Sequence, residues 1–70
     1  MSKMISQKQA KSLAVVYNAW HETDADDIAG QIVWGQMLLK KQHDTGINLI
    51  PNSLLENITA RAKRTQGEGL

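Results

Sequence analysis

The sequence predicts an all-α fold, in which an antiparallel helical hairpin is followed by a third amphipathic helix. Apolar residues recur at three- and four-residue spacing in three stretches of the 70-residue chain. The first break between these stretches is very short, and the second contains Pro51, the only proline. Short connections place consecutive helices side by side in opposite directions, so we expect the first two helices to form a hairpin.

The first helix is predicted over residues 7–21. Gln9 follows Ser6 by three residues, which is the spacing of a capping box at a helix start. Five apolar residues then form one stripe at helical spacing: Ala10, Leu13, Val16, Tyr17 and Trp20. We expect this stripe to contribute to the core.

The second helix is predicted over residues 24–44, with Thr23 as its N-cap. Acidic residues in the first turn suit the positive end of the helix dipole, and here they are Asp24, Asp26 and Asp27. Gly46 is predicted to end the helix, because glycine readily adopts the left-handed conformation found there.

The third helix is predicted over residues 52–65, with Pro51 at its first turn and a frayed tail over residues 66–70. Its apolar stripe consists of Leu54, Leu55, Ile58 and Ala62.

A second apolar patch lies on the predicted second helix, opposite the stripe of Ile28, Ile32 and Leu39. It consists of Gly30, Trp34, Met37 and Leu38. A helix that is apolar on two sides is usually buried on two sides, and the third helix, a second subunit or a target protein can each cover this patch. We expect these four residues to bind a second subunit or a target, with Trp34 as the main anchor.

Composition narrows the class of protein. The chain has no cysteine and a formal net charge of +1, so neither disulfides nor thiolate metal sites are expected. No apolar run is long enough to span a membrane, and no signal peptide is recognisable, so a cytoplasmic location is expected. Because so short a chain has a marginal core, we expect it to assemble as a homodimer.

No catalytic constellation is recognisable in the sequence. His21 and His43 are predicted at opposite ends of the hairpin, and no glycine-rich phosphate-binding motif is present. We therefore expect no catalytic residues, no cofactor and no metal site. The leading hypothesis is a small non-enzymatic regulatory protein that binds and modulates a larger protein through a helical surface. Its size is typical of phage- or plasmid-type regulators and inhibitors.

Four acidic residues are expected to attract a basic partner, and they are Glu22, Asp24, Asp26 and Asp27. The alternative function is that of a dimeric DNA-binding repressor. It would use a basic face on the third helix, formed by Asn57, Arg61, Lys63 and Arg64.

A local resemblance bears on this alternative. Residues 47–51, with the sequence INLIP, and the following residues 54–64 resemble the strand and first helix of ribbon-helix-helix repressors. The resemblance implies that Asn48 reads bases from the strand. The sequence departs from the family pattern because no second helix follows.

Overall fold

The computed structural model describes residues 6–68 and contains three α-helices in that range. They are α1 (Gln7–His21), α2 (Ile28–Thr45) and α3 (Asn52–Glu68). No strand occurs among the described residues, so the prediction of an all-α fold is confirmed. Helix α3 continues through residues 66–68, where a frayed tail was predicted, and residues 69–70 lie outside the described part.

The start of α1 is held by the predicted capping box. The Ser6 hydroxyl accepts a hydrogen bond from the Gln9 backbone N–H at 3.1 Å, and the Gln9 side-chain oxygen accepts one from the Ser6 N–H at 2.9 Å. These bonds satisfy N–H groups that have no partner within the helix. The predicted bounds of α1 coincide with those of the structure.

The predicted start of α2 is wrong by four residues, because the acidic segment forms a turn and not the first turn of the helix. The N–H of Asp27 donates to the carbonyl of Asp24 at 3.0 Å. The N-cap is Asp27, whose carboxylate accepts from the Gly30 N–H at 2.9 Å. Thr23 does not cap α2, because its hydroxyl donates to the Ala19 carbonyl at the end of α1, at 2.7 Å.

The connection between α2 and α3 is organised by a buried side chain of α2. Gly46 ends α2 with a φ of 75°, as predicted. The Gln42 side chain, which is fully buried, then bonds both backbone polar groups of Ile50 and the side chain of Asn52. Residues 47–50 form no strand, so the strand implied by the ribbon-helix-helix resemblance is absent.

The core lies where α2 packs against the two outer helices. Its buried apolar side chains are Leu13, Val16, Leu38, Leu55 and Ala62. Helix α2 packs against both α1 and α3, whereas no Cα atom of α1 lies within 8 Å of one of α3 in the described range. The fold is therefore elongated, with extents of 47 × 19 × 13 Å. Its radius of gyration of 13.1 Å exceeds the ~11 Å of a compact chain of this length.

The crossing of α2 and α3 depends on Gly35. A Cβ atom at this position would lie 2.5 Å from the hydroxyl oxygen of Thr59. The absence of a side chain at position 35 thus allows the close approach of α3. Gly30 differs, because the carboxylate of Asp27 occupies the space beside its Cα.

Candidate functional site

A cleft of about 230 Å³ opens between α1 and α3 near the acidic turn. It exists because the two outer helices pack on α2 without their backbones meeting. Trp20 and His21 from α1 line it, together with Thr23, Gln31 from α2 and Ile58 from α3. The cleft therefore combines one aromatic wall with one aliphatic contact.

The aromatic wall continues along α1 beyond the cleft. The ring centroids of Tyr17 and Trp20 lie 6.4 Å apart, and those of Tyr17 and His21 lie 5.9 Å apart. Tyr17 and Trp20 also pack against the core, which anchors the wall. Such rings attract cations at their faces, so the wall suits a positively charged side chain.

The turn beside the cleft is fixed by Gln31. Its side-chain N–H group donates to the carbonyls of Asp24 and Ala25, both at 3.2 Å. Four side chains of this turn region are exposed acids: Glu22, Asp24, Asp26 and Asp27. In residues 6–67, the one ion pair is between His43 and Asp44, so none of these four acids is neutralised by a described cation. The cleft thus opens next to a region of negative charge.

The chemistry available in the cleft is limited to binding groups in the part of the chain that the structure describes. Thr23 has already committed its hydroxyl to the Ala19 carbonyl. His21 has neighbouring rings but no hydrogen-bonded hydroxyl or carboxylate partner within that part. The same residues include no cluster of three or more histidines and acids that could hold a metal ion. The expectation that the protein has no catalytic residues, cofactor or metal remains a prediction.

The apolar patch predicted as an anchor is largely internal to the fold. Leu38 is fully buried, and Trp34 is partly buried against the core. Gly30 is half-buried next to Asp27, and only Met37 is exposed, at 41%. The physical reason is that α2 is the central helix, so apolar residues on two of its sides face two helices of the same chain. Leu38 is therefore out of reach of a partner, whereas partner binding by the other three residues remains a prediction.

The predicted basic face of α3 is exposed, but it is incomplete. With about 100° per residue, Asn57, Arg61 and Arg64 lie within an arc of about 60°. Lys63 lies about 100° away from Arg64 and belongs to a different face. All four side chains are exposed, and none of the three cations pairs with an acid among residues 6–67.

Some residues of the site were not selected from the sequence. Gln31 carries no distinctive pattern, and its role depends on the turn that its amide bonds. Ile58 was assigned to a core stripe and proves to line the cleft. The sequence predicts only that His21 lies at one end of the hairpin, and its position beside Trp20 at the cleft requires the packed fold.

Comparison with known proteins gives no match to a protein-family model, a curated protein or a solved structure. Among the described residues, no helix has the length and apolar character needed to cross a membrane.

Proposed function

We propose that the protein is a small non-enzymatic interaction protein that binds a basic segment of a larger protein and so modulates that partner. The observation that carries the proposal is the cleft beside the acidic turn, with Trp20 and His21 on one wall and Ile58 on the other. A lysine or arginine side chain placed there would meet aromatic faces and nearby carboxylates. Its aliphatic stem would cover Ile58.

Charge supports a basic partner over an acidic one. The carboxylates beside the cleft are exposed, and no described cation pairs with them. Unpaired surface charge raises the association rate of an oppositely charged partner more than it raises the affinity. We also include in this proposal that two copies of the chain associate, with the hairpin of α1 and α2 acting as a rigid unit.

Selection of a displayed library of random peptides on the full-length protein tests this function. We expect the selected peptides to be enriched in lysine and arginine next to apolar residues. Binding is expected to fall in His21→Ala, and also in a variant that combines Asp24→Asn with Asp26→Asn. These side chains are exposed and make no hydrogen bond that holds the described fold together.

The matched control is Asp44→Asn, which removes an acid near the opposite end of α2. It is expected to leave peptide binding unchanged. Selected peptides without an excess of positive charge would contradict the proposal. So would peptides that bind the cleft variants as well as the natural sequence.

A second candidate is DNA binding through α3, favoured by the exposed Arg61 and Arg64, neither of which pairs with an acid among residues 6–67. It ranks second because Gly35 meets Thr59 and Gln42 meets Asn52, so α3 runs antiparallel to α2. The cations of α3 therefore approach the end of α2 that carries the acidic turn, which weakens attraction to phosphates. Combining Arg61→Ala with Arg64→Ala is expected to abolish any gel shift of mixed-sequence DNA if this candidate is correct.

A further inference from the structure

The outer face of α2 exposes two large apolar side chains. Val33 is 52% exposed and Met37 is 41% exposed, and they lie one turn apart in the middle of the helix. With about 100° per residue, Val33 lies opposite Gln42, which is fully buried. Both α1 and α3 pack against α2, whose buried residues lie away from this face, so the face stays open in the described chain. We call Val33 and Met37 the outer apolar pair.

We propose that a second copy of this chain covers the outer apolar pair, with the two α2 helices antiparallel about a two-fold axis that crosses the outer face at the level of Gly35. The inference rests on the self-association included in the proposed function, and it names the surface involved. Val33 and Met37 stand two residues before and two residues after Gly35. The axis therefore brings Val33 of each copy onto Met37 of the other, which makes the contact self-complementary.

The small core favours a second copy as the occupant. The described part of the chain buries only five apolar side chains, none of them on the outer face of α2. A chain of this size leaves a large share of its surface in water, so its stability gains from further burial. A stable interface needs about 800 Å² on each partner. An interface of this area would cover less than a fifth of the accessible surface of 5231 Å². Helix α2 offers a face about 27 Å long over its 18 residues.

The distribution of charge determines the direction of the pairing. The acidic turn lies immediately before α2, whereas Lys40 and Lys41 lie in its last turns. Antiparallel helices place Lys40 of one copy opposite Gly30 of the other, about one helical turn from its acidic turn. Parallel helices would bring eight carboxylates together. Lys40 is exposed and lies within about 20° of Val33 around the helix. Asp44 lies on the same face, and its carboxylate is 3.8 Å from the imidazole of His43.

Sedimentation equilibrium of the full-length chain tests the surface. We expect a dimer for the natural sequence and a dissociation constant raised at least about tenfold by Val33→Glu, which places a charge on the axis. The matched control is Val15→Glu, because Val15 is 64% exposed on α1. The control is expected to leave the dimer intact. A monomer at all concentrations, an open-ended assembly, or equal effects of the two variants would overturn the proposal.

Two changes of charge test the antiparallel direction. About an axis at the level of Gly35, position 26 of one copy lies opposite Asp44 of the other, so Asp26→Lys is expected to strengthen the dimer. Lys40→Glu is expected to weaken it, because position 40 lies about one helical turn from the acidic turn of the other copy. A dimer weakened by Asp26→Lys would exclude this arrangement.

Peptide binding in the cleft and dimerisation through α2 can be contradicted independently of each other. Val33→Glu leaves the cleft residues unchanged, so its monomer is expected to retain the binding of selected basic peptides. Loss of the dimer with retained peptide binding would support both surfaces. A dimer that binds no basic peptide would overturn the cleft function and leave the α2 interface standing.

Discussion

The side-chain amide of Gln42 bonds both backbone polar groups of Ile50. Its oxygen accepts from the Ile50 N–H at 3.0 Å, and its N–H group donates to the Ile50 carbonyl at 3.1 Å. The same N–H group donates to the Asn52 side-chain oxygen at 2.8 Å. One residue of α2 therefore supplies the partners that the loop before α3 lacks, and it determines where α3 begins.

Replacement of this amide by a side chain of similar length is expected to destabilise the fold. Gln42→Met leaves the polar groups of Ile50 without these partners, which lowers the free energy of unfolding by about 1–3 kcal/mol. Urea unfolding followed by circular dichroism measures the change. Gln66→Met is the matched control, because Gln66 is exposed on α3. Equal losses in the two variants would show that the amide bonds do not stabilise the loop.

Whether a substitution at Gly35 raises or lowers the free energy of unfolding is expected to depend on Thr59. Gly35→Ala in the natural sequence forces the new Cβ against the Thr59 hydroxyl, which is buried and donates to the Leu55 carbonyl. Overpacking costs about 1–3 kcal/mol, whereas the helix propensity of alanine returns about 1 kcal/mol. A net loss of roughly 1 kcal/mol is therefore expected in thermal or urea unfolding.

The same change is expected to stabilise a Thr59→Ala background. The Cβ atom at position 59 lies 3.6 Å from the new Cβ, which is an ordinary contact, so the gain in propensity is no longer opposed. Gly67→Ala serves as the control, because nothing lies within 4 Å of its Cβ position. A loss at position 35 that persists in the Thr59→Ala background would contradict this explanation.

Two leucines that look alike in the sequence are expected to differ strongly when truncated. Leu38 is fully buried in the core, and Leu54 is 49% exposed on α3. Leu38→Ala is expected to cost about 2–5 kcal/mol, which is the cost of a cavity in a packed core. Leu54→Ala is expected to cost much less, and paired denaturation curves make the comparison. Similar costs would mean that Leu38 is not a core residue.

Only one acid of the turn, Asp27, is expected to stabilise the start of α2 as its N-cap. Asp27→Ala removes the acceptor of the Gly30 N–H and is expected to cost about 1 kcal/mol of unfolding free energy. Asp27→Ser keeps a capping oxygen and is expected to stay near the natural stability. Asp26→Ala, in the same turn, is expected to have little effect on the thermal midpoint. A larger loss for Asp26→Ala than for Asp27→Ala would place the cap elsewhere.

Local signals account for the parts of the fold that the sequence predicts well. The bounds of α1 follow from Ser6 and Gln9, whose two hydrogen bonds span only three residues. The end of α2 follows from Gly46, which takes a positive φ at no steric cost. These features depend on few neighbours, so they can be recognised without the packed structure.

The remaining features depend on contacts between distant residues. Four cap-forming side chains precede α2, and the choice of Asp27 follows from the Thr23 hydroxyl bonding back to α1. The periodicity of α2 indicates two buried sides, but it does not say that α1 and α3 cover Trp34 and Leu38. The cleft brings Ile58 beside Trp20, and no spacing in the sequence encodes that pair.

The central position of α2 has a consequence for the order in which the amides exchange with solvent. Because α1 and α3 each pack on α2 and their backbones do not meet, either outer helix can detach while the other stays in place. Exposure of the α2 amides then requires a larger opening than exposure of those in α1 or α3. Hydrogen exchange should therefore proceed as two separate partial openings that share α2 as their most protected segment.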